Sequence, residues 1–186
     1  MELRTERLEL RHPLPEDCDQ LFTMFNDPQG WVYEPEGRHL ERSVTEGFIA
    51  RAAARWLNDG LSYWTVRLIG SDQIIGIGGA QRHSSGHWNL SYRLGTEQQG
   101  HGYAVELGRA GMAAAQQADP EVAVIAWIHE TNLPSQRVAE RLGLSFQGVF
   151  IDQNDGKPRM AFTDRPLNLT PAEPKPARLA APEGIV

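Results

Sequence analysis

Glu97-Gln98-Gln99-Gly100-His101-Gly102-Tyr103-Ala104 is the stretch of sequence that decides the fold. Polar and apolar residues alternate just before it, from Trp88 to Leu94, which predicts a strand, and an apolar helical face follows from Tyr103 to Ala118. A glycine-rich turn between a strand and a helix points several backbone N–H groups outward at the positive end of the helix, where a phosphate can accept them. The stretch therefore predicts a site for a phosphate-bearing cofactor, although a turn with two glycines can also do no more than reverse the chain.

The composition bounds the class of protein. The 186 residues suit one domain with a substantial core, and the formal net charge of −6 argues against a surface that binds nucleic acid. The single Cys18 excludes a disulfide within the chain and a cysteine-based zinc site, and no secretion signal is evident at the N-terminus. The longest strongly apolar run, Val122 to Ile128, is too short to cross a bilayer, so no membrane association is expected. We predict a cytoplasmic protein in which residues 1–166 form the domain and the Pro- and Ala-rich residues 167–186 form a tail.

The sequence before residue 60 predicts one strand and two helices. Leucines that alternate with charged residues predict a strand at 5–11, and apolar residues at helical spacing predict helices at Leu14–Asn26 and Ser43–Asn58. Ser43 and Glu46 have the spacing of a capping box at the start of the second helix. The loop between the helices carries two aromatic residues, which either plug the edge of the core or line a substrate cleft. These residues are Trp31 and Tyr33, in the segment Asp27–Gly37.

A change to period-two alternation predicts an antiparallel three-stranded meander over residues 62–69, 73–81 and 87–94. Gly76 and Gly78 alternate with isoleucine inside the second of these strands, which argues against a second phosphate loop and for the close approach of another backbone. The rest of the chain predicts, in order, helix Tyr103–Ala118, buried strand Val122–Ile128, a short helix from Asn132 to Gly143, and strands 145–152 and 160–164 around an Asn154-Asp155-Gly156 turn.

Three motifs carry a family resemblance: Thr5-Glu6-Arg7-Leu8-Glu9-Leu10-Arg11, Gln99-Gly100-His101-Gly102-Tyr103-Ala104 followed by Glu106, and Asn132-x-x-Ser135 followed by Arg141-Leu142-Gly143. In this order, with these elements between them, they resemble the GNAT superfamily of acyl-CoA-dependent N-acyltransferases. Within it the chain is similar to the ribosomal-protein N-terminal acetyltransferases of the RimJ and RimL type. The resemblance covers roughly residues 3–166. It implies an α+β fold, an αβα sandwich whose mixed, mostly antiparallel sheet splays at the cofactor site between strands 87–94 and 122–128.

The resemblance implies acetyl-CoA as the co-substrate. Backbone N–H groups of the glycine turn would bind its pyrophosphate, and the strand before the turn would pair with its pantetheine as an added strand pairs with a sheet edge. A backbone N–H of that strand would face the thioester carbonyl. Without the resemblance, Asn132 and Ser135 are explained as the N-cap of a helix and the residue three positions on. The implied cofactor contacts are Tyr92, Arg93, Leu94, Gln98, Gln99, Gly100, His101, Gly102, Tyr103, Ala104, Asn132 and Ser135.

Two departures from the family pattern leave the proton transfers open. Ala139 stands where many relatives carry a tyrosine that protonates the departing thiolate, so Ser135 or water would take that role. Asn89 stands where relatives often carry a glutamate, and an amide cannot act as a base. The nearby candidates for the base are His83, His87 and Glu130. A histidine in a turn is also commonly a solvated surface residue, and no third ligand accompanies the two histidines, so no metal site is predicted.

The missing glutamate favours one class of acceptor. At pH 7.4 a lysine amine with a pKa of about 10.4 costs about 4 kcal/mol to deprotonate, whereas an α-amine with a pKa near 7.8 costs only about 0.5 kcal/mol. We therefore expect a peptide N-terminus or a small-molecule α-amine as acceptor, with Trp31 and Tyr33 as candidate substrate contacts. The resemblance leaves a homodimer open. Two other interpretations also stay open: a catalytically weak acyl-CoA sensor with the same fold, and a nucleotide-binding protein that uses the turn for another phosphate.

Overall fold

The computed structural model describes residues 2–151 and 156–167. The strands are β1 Leu3–Arg4, β2 Leu8–Arg11, β3 Trp64–Leu68, β4 Ile74–Arg82, β5 Trp88–Leu94, β6 Val124–Ile128, β7 Ser145–Ile151 and β8 Pro158–Thr163, and the α-helices are α1 Cys18–Asn26, α2 Arg42–Asp59, α3 Tyr103–Ala118 and α4 Leu133–Arg141. In the described part of the chain the strands form one sheet in the order β1-β2-β3-β4-β5-β6-β8-β7. Each neighbouring pair is antiparallel except β5 and β6, which are parallel.

Helices cover both faces of this sheet. α3 buries Leu107 against one face, in a cluster that includes Leu90 of β5. α1 and α2 bury Leu21 and Ile49 against the other face, around Ile77 of β4. The apolar stripes of the two helical layers thus enclose the sheet between them. The predicted fold class, an αβα sandwich with a mixed, mostly antiparallel sheet, is confirmed.

The sheet opens between β5 and β6. Pairing between these strands is confined to Trp88 with Val124 and Asn89 with Ile125. Beyond that point β6 continues to pair with β8 as far as Ile128, while β5 continues alone beside β4. The predicted splay is therefore confirmed, and the rest of β5 presents main-chain groups to a gap.

Close packing between β4 and β5 explains the two glycines in β4. A Cβ atom added at Gly76 would lie 2.6 Å from the carbonyl oxygen of Arg93, and one added at Gly78 would meet the carbonyl oxygen of Ser91. Both glycines pair with β5 in regular strand register. The prediction of a strand approached by another backbone is confirmed.

The predicted capping box at the start of α2 is wrong. The helix begins at Arg42, its N-cap is Glu41, and no side chain caps it. The Ser43 hydroxyl instead donates a hydrogen bond to the Glu41 carboxylate at 3.4 Å, and Glu46 pairs with Arg42. The ion pair with Arg42 takes the carboxylate that a capping box would direct to the N-cap N–H.

Other differences lie at the ends of elements. The strand predicted at 5–11 begins at Leu8, because Thr5 donates its N–H to the Leu8 carbonyl at 2.9 Å and closes a turn. The predicted Asn154-Asp155-Gly156 turn falls partly, and the tail from residue 168 wholly, outside the described residues. Among the described helices, none is long and apolar enough to cross a membrane.

Candidate active site

A cleft of about 560 Å³ opens where β5 and β6 separate. Its walls are these two strands, the starts of α3 and α4, and the loop between α1 and α2, and its volume suits a small-molecule ligand. Most of the predicted contacts line it: Trp31, Tyr33, Tyr92, Arg93, Leu94, Gln99, Gly100, Gly102, Tyr103, Ala104, Asn132 and Ser135. Gln98 and His101 are not among the described lining residues.

The glycine turn is built to present N–H groups. Gly100 and Gly102 have φ angles of 82° and 83°, in the left-handed region that glycine adopts without steric cost. The backbone N–H groups from Gly100 to Ala104 make no hydrogen bond to another described residue. They lie at the start of α3, where the helix dipole is positive. Consecutive free donors at a helix N-terminus fit the pyrophosphate of a CoA molecule.

Glu106 of α3 ties this turn to the N-terminal motif. Its carboxylate accepts hydrogen bonds from the Thr5 hydroxyl at 2.5 Å, the Arg7 backbone N–H at 2.8 Å and Arg7 Nε at 2.7 Å. The same guanidinium donates to the His101 carbonyl at 3.0 Å and lies 4.8 Å from the centre of the Tyr103 ring. Burial alone would raise the pKa of Glu106, but these donors hold it below its usual value. The first sequence motif therefore fixes the backbone of the second.

The edge of β5 that faces β6 is free beyond Asn89. Trp88 donates its N–H to the Ala123 carbonyl at 2.9 Å, so this N–H points towards β6. Because main-chain groups alternate in direction along a strand, those of Tyr92 and Leu94 point the same way. The pairing of β5 with β6 ends at Asn89, so these groups have no strand partner. An extended ligand with amide groups, such as pantetheine, fits this edge as an added strand.

The start of α4 closes one side of the cleft. Asn132 is the N-cap of the helix, and its side-chain oxygen accepts the Ser135 N–H at 3.1 Å, so capping is part of its role. The Ser135 hydroxyl donates to the Tyr92 hydroxyl at 3.3 Å, and the Tyr92 hydroxyl donates to the Ser135 carbonyl at 3.2 Å. Burial raises the pKa of Tyr92 to about 12, so the phenol stays protonated at neutral pH. Tyr92 thus adds a hydroxyl beside Ser135 that the sequence motifs do not indicate.

The loop between α1 and α2 bridges the split. Trp31 is 8% exposed and donates its indole N–H to the Phe25 carbonyl at 2.6 Å, so it belongs to the core while also lining the cleft. The Arg93 guanidinium of β5 lies 3.6 Å from the centre of the Trp31 ring. From β8, Arg159 donates to the Glu34 carboxylate at 2.6 Å. The loop is therefore fixed to strands on both sides of the split.

The three predicted bases are not among the described residues that line the cleft. His87 is 7% exposed, and its Nε2 accepts the indole N–H of Trp127 at 3.0 Å. His83 stacks on His87 with ring centres 4.5 Å apart, and Glu130 is exposed. The described carboxylate and imidazole groups that line the cleft instead are those of Glu34 and His129. Their positions favour Glu34 and His129, rather than the three predicted residues, as candidates for the base that deprotonates the amine.

His87 gives the protein an acid-sensitive stability. Its pKa is lowered to about 4, mainly by burial and then by the charges of His83 and Arg82. An unfolded histidine has a pKa of about 6.5, so between pH 6.5 and pH 4 the unfolded state takes up a proton that the folded state does not. We therefore expect the free energy of unfolding to decrease as the pH is lowered from 6.5 to 4. In His87→Gln this decrease should be smaller by about 1 to 2 kcal/mol. Urea unfolding of both proteins near neutral pH and near pH 4.5 measures this. An equal decrease in the free energy of unfolding for wild type and His87→Gln would contradict this prediction.

The fold and the cleft define a class of protein that binds an acyl-CoA at a splayed sheet. The family model for the acetyltransferase (GNAT) domain matches residues 7–145. Because this is most of the chain, the protein belongs to the GNAT acetyltransferase family and is an acetyl-CoA-dependent N-acetyltransferase. Among curated proteins, none matches this sequence.

Solved structures share the fold over nearly the whole chain. An acetyltransferase from Agrobacterium tumefaciens is 22% identical, with a TM-score of 0.75, over 89% of this chain and 95% of that one. A GNAT-family acetyltransferase from Bacillus anthracis is also 22% identical, with a TM-score of 0.72, over 88% and 97%. RimL, a ribosomal L7/L12 α-N-protein acetyltransferase in complex with coenzyme A, is 14% identical, with a TM-score of 0.72, over 88% and 97%.

Proposed function

We propose that this protein transfers the acetyl group of acetyl-CoA to an α-amine, at a peptide N-terminus or on a small molecule, in the cytoplasm. The amine attacks directly while both substrates are bound. One observation carries the proposal: the free edge of β5 leads straight into the turn of unpaired N–H groups, within a single cleft. A covalent acyl-cysteine is disfavoured, because Cys18 is buried among the α1 side chains and burial raises the pKa of its thiol.

The cleft offers a partner for each part of acetyl-CoA. The N–H groups from Gly100 to Ala104 bind the pyrophosphate, and the main chain of Leu94 pairs with the pantetheine. The Tyr92 N–H stabilises the negative charge that develops on the thioester oxygen. The Ser135 hydroxyl turns from the Tyr92 hydroxyl to donate its hydrogen bond to the departing thiolate, while Tyr92 continues to donate to the Ser135 carbonyl. With a thiol pKa near 8.5, that thiolate is disfavoured at pH 7.4 by only about 1.5 kcal/mol, so a weak donor suffices.

The choice of an α-amine rests on the groups available to remove its proton. Glu34 already accepts a hydrogen bond from Arg159 at 2.6 Å, and the His129 ring is paired with the Thr131 hydroxyl at 2.9 Å. Asn89 donates to the Tyr63 hydroxyl at 2.7 Å. Because Glu34 and His129 already take part in these hydrogen bonds and the Asn89 amide cannot act as a base, the amine that loses its proton most readily is favoured.

Thiol release from acetyl-CoA, measured with a panel of amines, tests the proposal. The panel compares peptides with a free N-terminus, N-blocked peptides with one lysine, amino acids and polyamines. We expect at least about 10-fold faster release with free α-amines than with blocked lysine peptides, since lysine is costlier to deprotonate. Equal rates would contradict the choice of an α-amine. Acetyl-CoA binding without release to any amine would favour the sensor, which the replacements at Ala139 and Asn89 motivate.

A further inference from the structure

Arg93 is a half-buried arginine that lines the cleft without a carboxylate of the described residues in ion-pair distance. Arg137 and Arg141 also line the cleft without an ion pair among the described residues, but both are exposed. Two other arginines that the fold buries are paired: Arg67 with Asp17 at 2.6 Å, and Arg159 with Glu34 at 2.6 Å. Within the described residues no carboxylate lies in ion-pair distance of Arg93. Its guanidinium instead rests on the Trp31 ring, and burial lowers its pKa. The charge of Glu34, which lies beyond ion-pair distance and is paired with Arg159, offsets this burial only in part. A carboxylate that a ligand brings into direct contact would therefore stabilise the shielded cation.

The free donors of Arg93 have the geometry of a carboxylate site. Only Nη1 is engaged in a hydrogen bond, which it donates to the Gly30 carbonyl at 2.7 Å. Nε and Nη2 have no hydrogen-bond partner among the described residues. Together these two nitrogens form one side of the guanidinium fork, which binds both oxygens of a carboxylate at once. Trp31 and Gly30 hold the guanidinium plane in place, so little side-chain entropy remains to be lost on binding.

The position of Arg93 relates this fork to the reaction centre. Arg93 follows Tyr92, the residue whose N–H we propose faces the thioester oxygen, and its side chain leaves the opposite face of β5 from that of Tyr92. Arg93 and the loop residues Trp31 and Glu34 line the same cleft. The main chain of Arg93 pairs with Ile77 of β4, so its backbone faces away from the gap that pantetheine would occupy. Its side chain contacts Trp31 and Gly30 and so points at the loop wall of the cleft.

We propose that Arg93 is a specificity-determining residue that binds a carboxylate of the acceptor, so that the enzyme selects amines bearing an acidic group a few bonds away. This inference rests on the proposed function. An acidic side chain near a peptide N-terminus would supply such a carboxylate. A free amino acid offers the same chemistry through its α-carboxylate, at shorter range.

The test compares matched acceptors with wild-type protein, Arg93→Gln, Arg93→Lys and the control Arg51→Gln, which removes an exposed guanidinium of α2. Peptides that begin with Glu or Asp are paired with those that begin with Gln or Asn, and free amino acids with their α-amides. In wild type we expect kcat/KM to be about 10- to 100-fold higher for the acid of a pair, expressed mainly in KM. Arg93→Gln should reduce that ratio to below about 3-fold, with Arg93→Lys intermediate because it keeps the charge and loses the fork. The control should match wild type, and thermal melting verifies that each variant is folded.

Several outcomes would overturn the inference. Equal kcat/KM values of the wild-type protein for the acidic acceptors and for their amide counterparts would contradict the proposal. So would an Arg93→Gln protein that keeps the acid preference but binds acetyl-CoA at least about 10-fold more weakly, because the guanidinium would then serve the cofactor phosphates.

If no amine is acetylated, the proposed function fails, and the acids and amides are titrated calorimetrically into the CoA complex. Acid-selective binding that disappears in Arg93→Gln supports the carboxylate site, and equal binding of both overturns it.

Discussion

Gly100→Ala is expected to weaken acetyl-CoA binding by about 10- to 100-fold while leaving the protein folded. Gly100 has a φ of 82°, where alanine costs about 1 kcal/mol. A Cβ atom added there has no described protein atom within 4 Å, so the methyl group would occupy space beside the free N–H groups that the turn offers to a phosphate. Both effects displace the donors from the pyrophosphate. Isothermal titration of acetyl-CoA into the variant measures the loss.

Gly86→Ala is the matched control for this change. Gly86 has a φ of 90°, and an added Cβ atom there also meets nothing within 4 Å. It lies in the turn between β4 and β5 and is not among the described residues that line the cleft. The two variants should lose similar stability, and only Gly100→Ala should lose affinity. Equal affinities for acetyl-CoA in both variants would show that the turn does not bind the pyrophosphate.

The parts of this site that could be predicted from the sequence depend on local patterns. Gly100 and Gly102 mark a turn because glycine alone adopts their φ angles at no cost. Asn132 marks the start of α4 because its side-chain oxygen accepts the N–H of Ser135, three residues further along the chain. The alternation from Trp88 to Leu94 fixes which groups of β5 share an edge. Each pattern is complete within a few neighbouring residues, and together they locate the part of the cleft where we propose that acetyl-CoA binds.

The acceptor half of the cleft could not be predicted, because its residues meet only in the folded protein. Glu34 and Arg159 are 125 positions apart in sequence, and no local pattern pairs them. The burial of His87 also depends on a residue distant in sequence. His87 lies at the end of a turn, where histidine is commonly solvated, but Trp127 of β6 packs against it at the start of the split and buries it. Propensity and periodicity assign the face of a strand but not which distant loop will cover it. The sequence therefore directs attention to His83 and His87, which do not line the cleft, rather than to Glu34 and His129, which do.

Gly111→Val is expected to be the most destabilising substitution considered, lowering the free energy of unfolding by about 3 kcal/mol, with Gly111→Ala lowering it by about 1 to 2 kcal/mol. A Cβ atom added at Gly111 of α3 would lie 2.9 Å from Leu90 Cδ1 and 3.0 Å from the Cα and carbonyl carbon of Gly79. The strand cannot retreat easily, because Gly79 itself packs against Trp64: a Cβ atom there would be 2.5 Å from its ring. The helix must therefore move away from β4. The overpacking exceeds the roughly 1 kcal/mol that alanine gains over glycine in a helix.

Gly47→Ala gives the comparison that isolates this packing effect. Gly47 is also a glycine inside a helix, α2, but its added Cβ atom would meet only the end of the flexible Arg51 side chain, at 3.2 Å. It should therefore gain up to about 1 kcal/mol from helix propensity alone. Urea unfolding should then move in opposite directions for Gly47→Ala and Gly111→Ala. Stabilisation by both would show that α3 is free to shift on the sheet. α3 carries at its start the turn that we propose binds the pyrophosphate, and it packs on Leu90 beside the split. A fixed position for this helix therefore also fixes the distance between the turn and the free edge of β5.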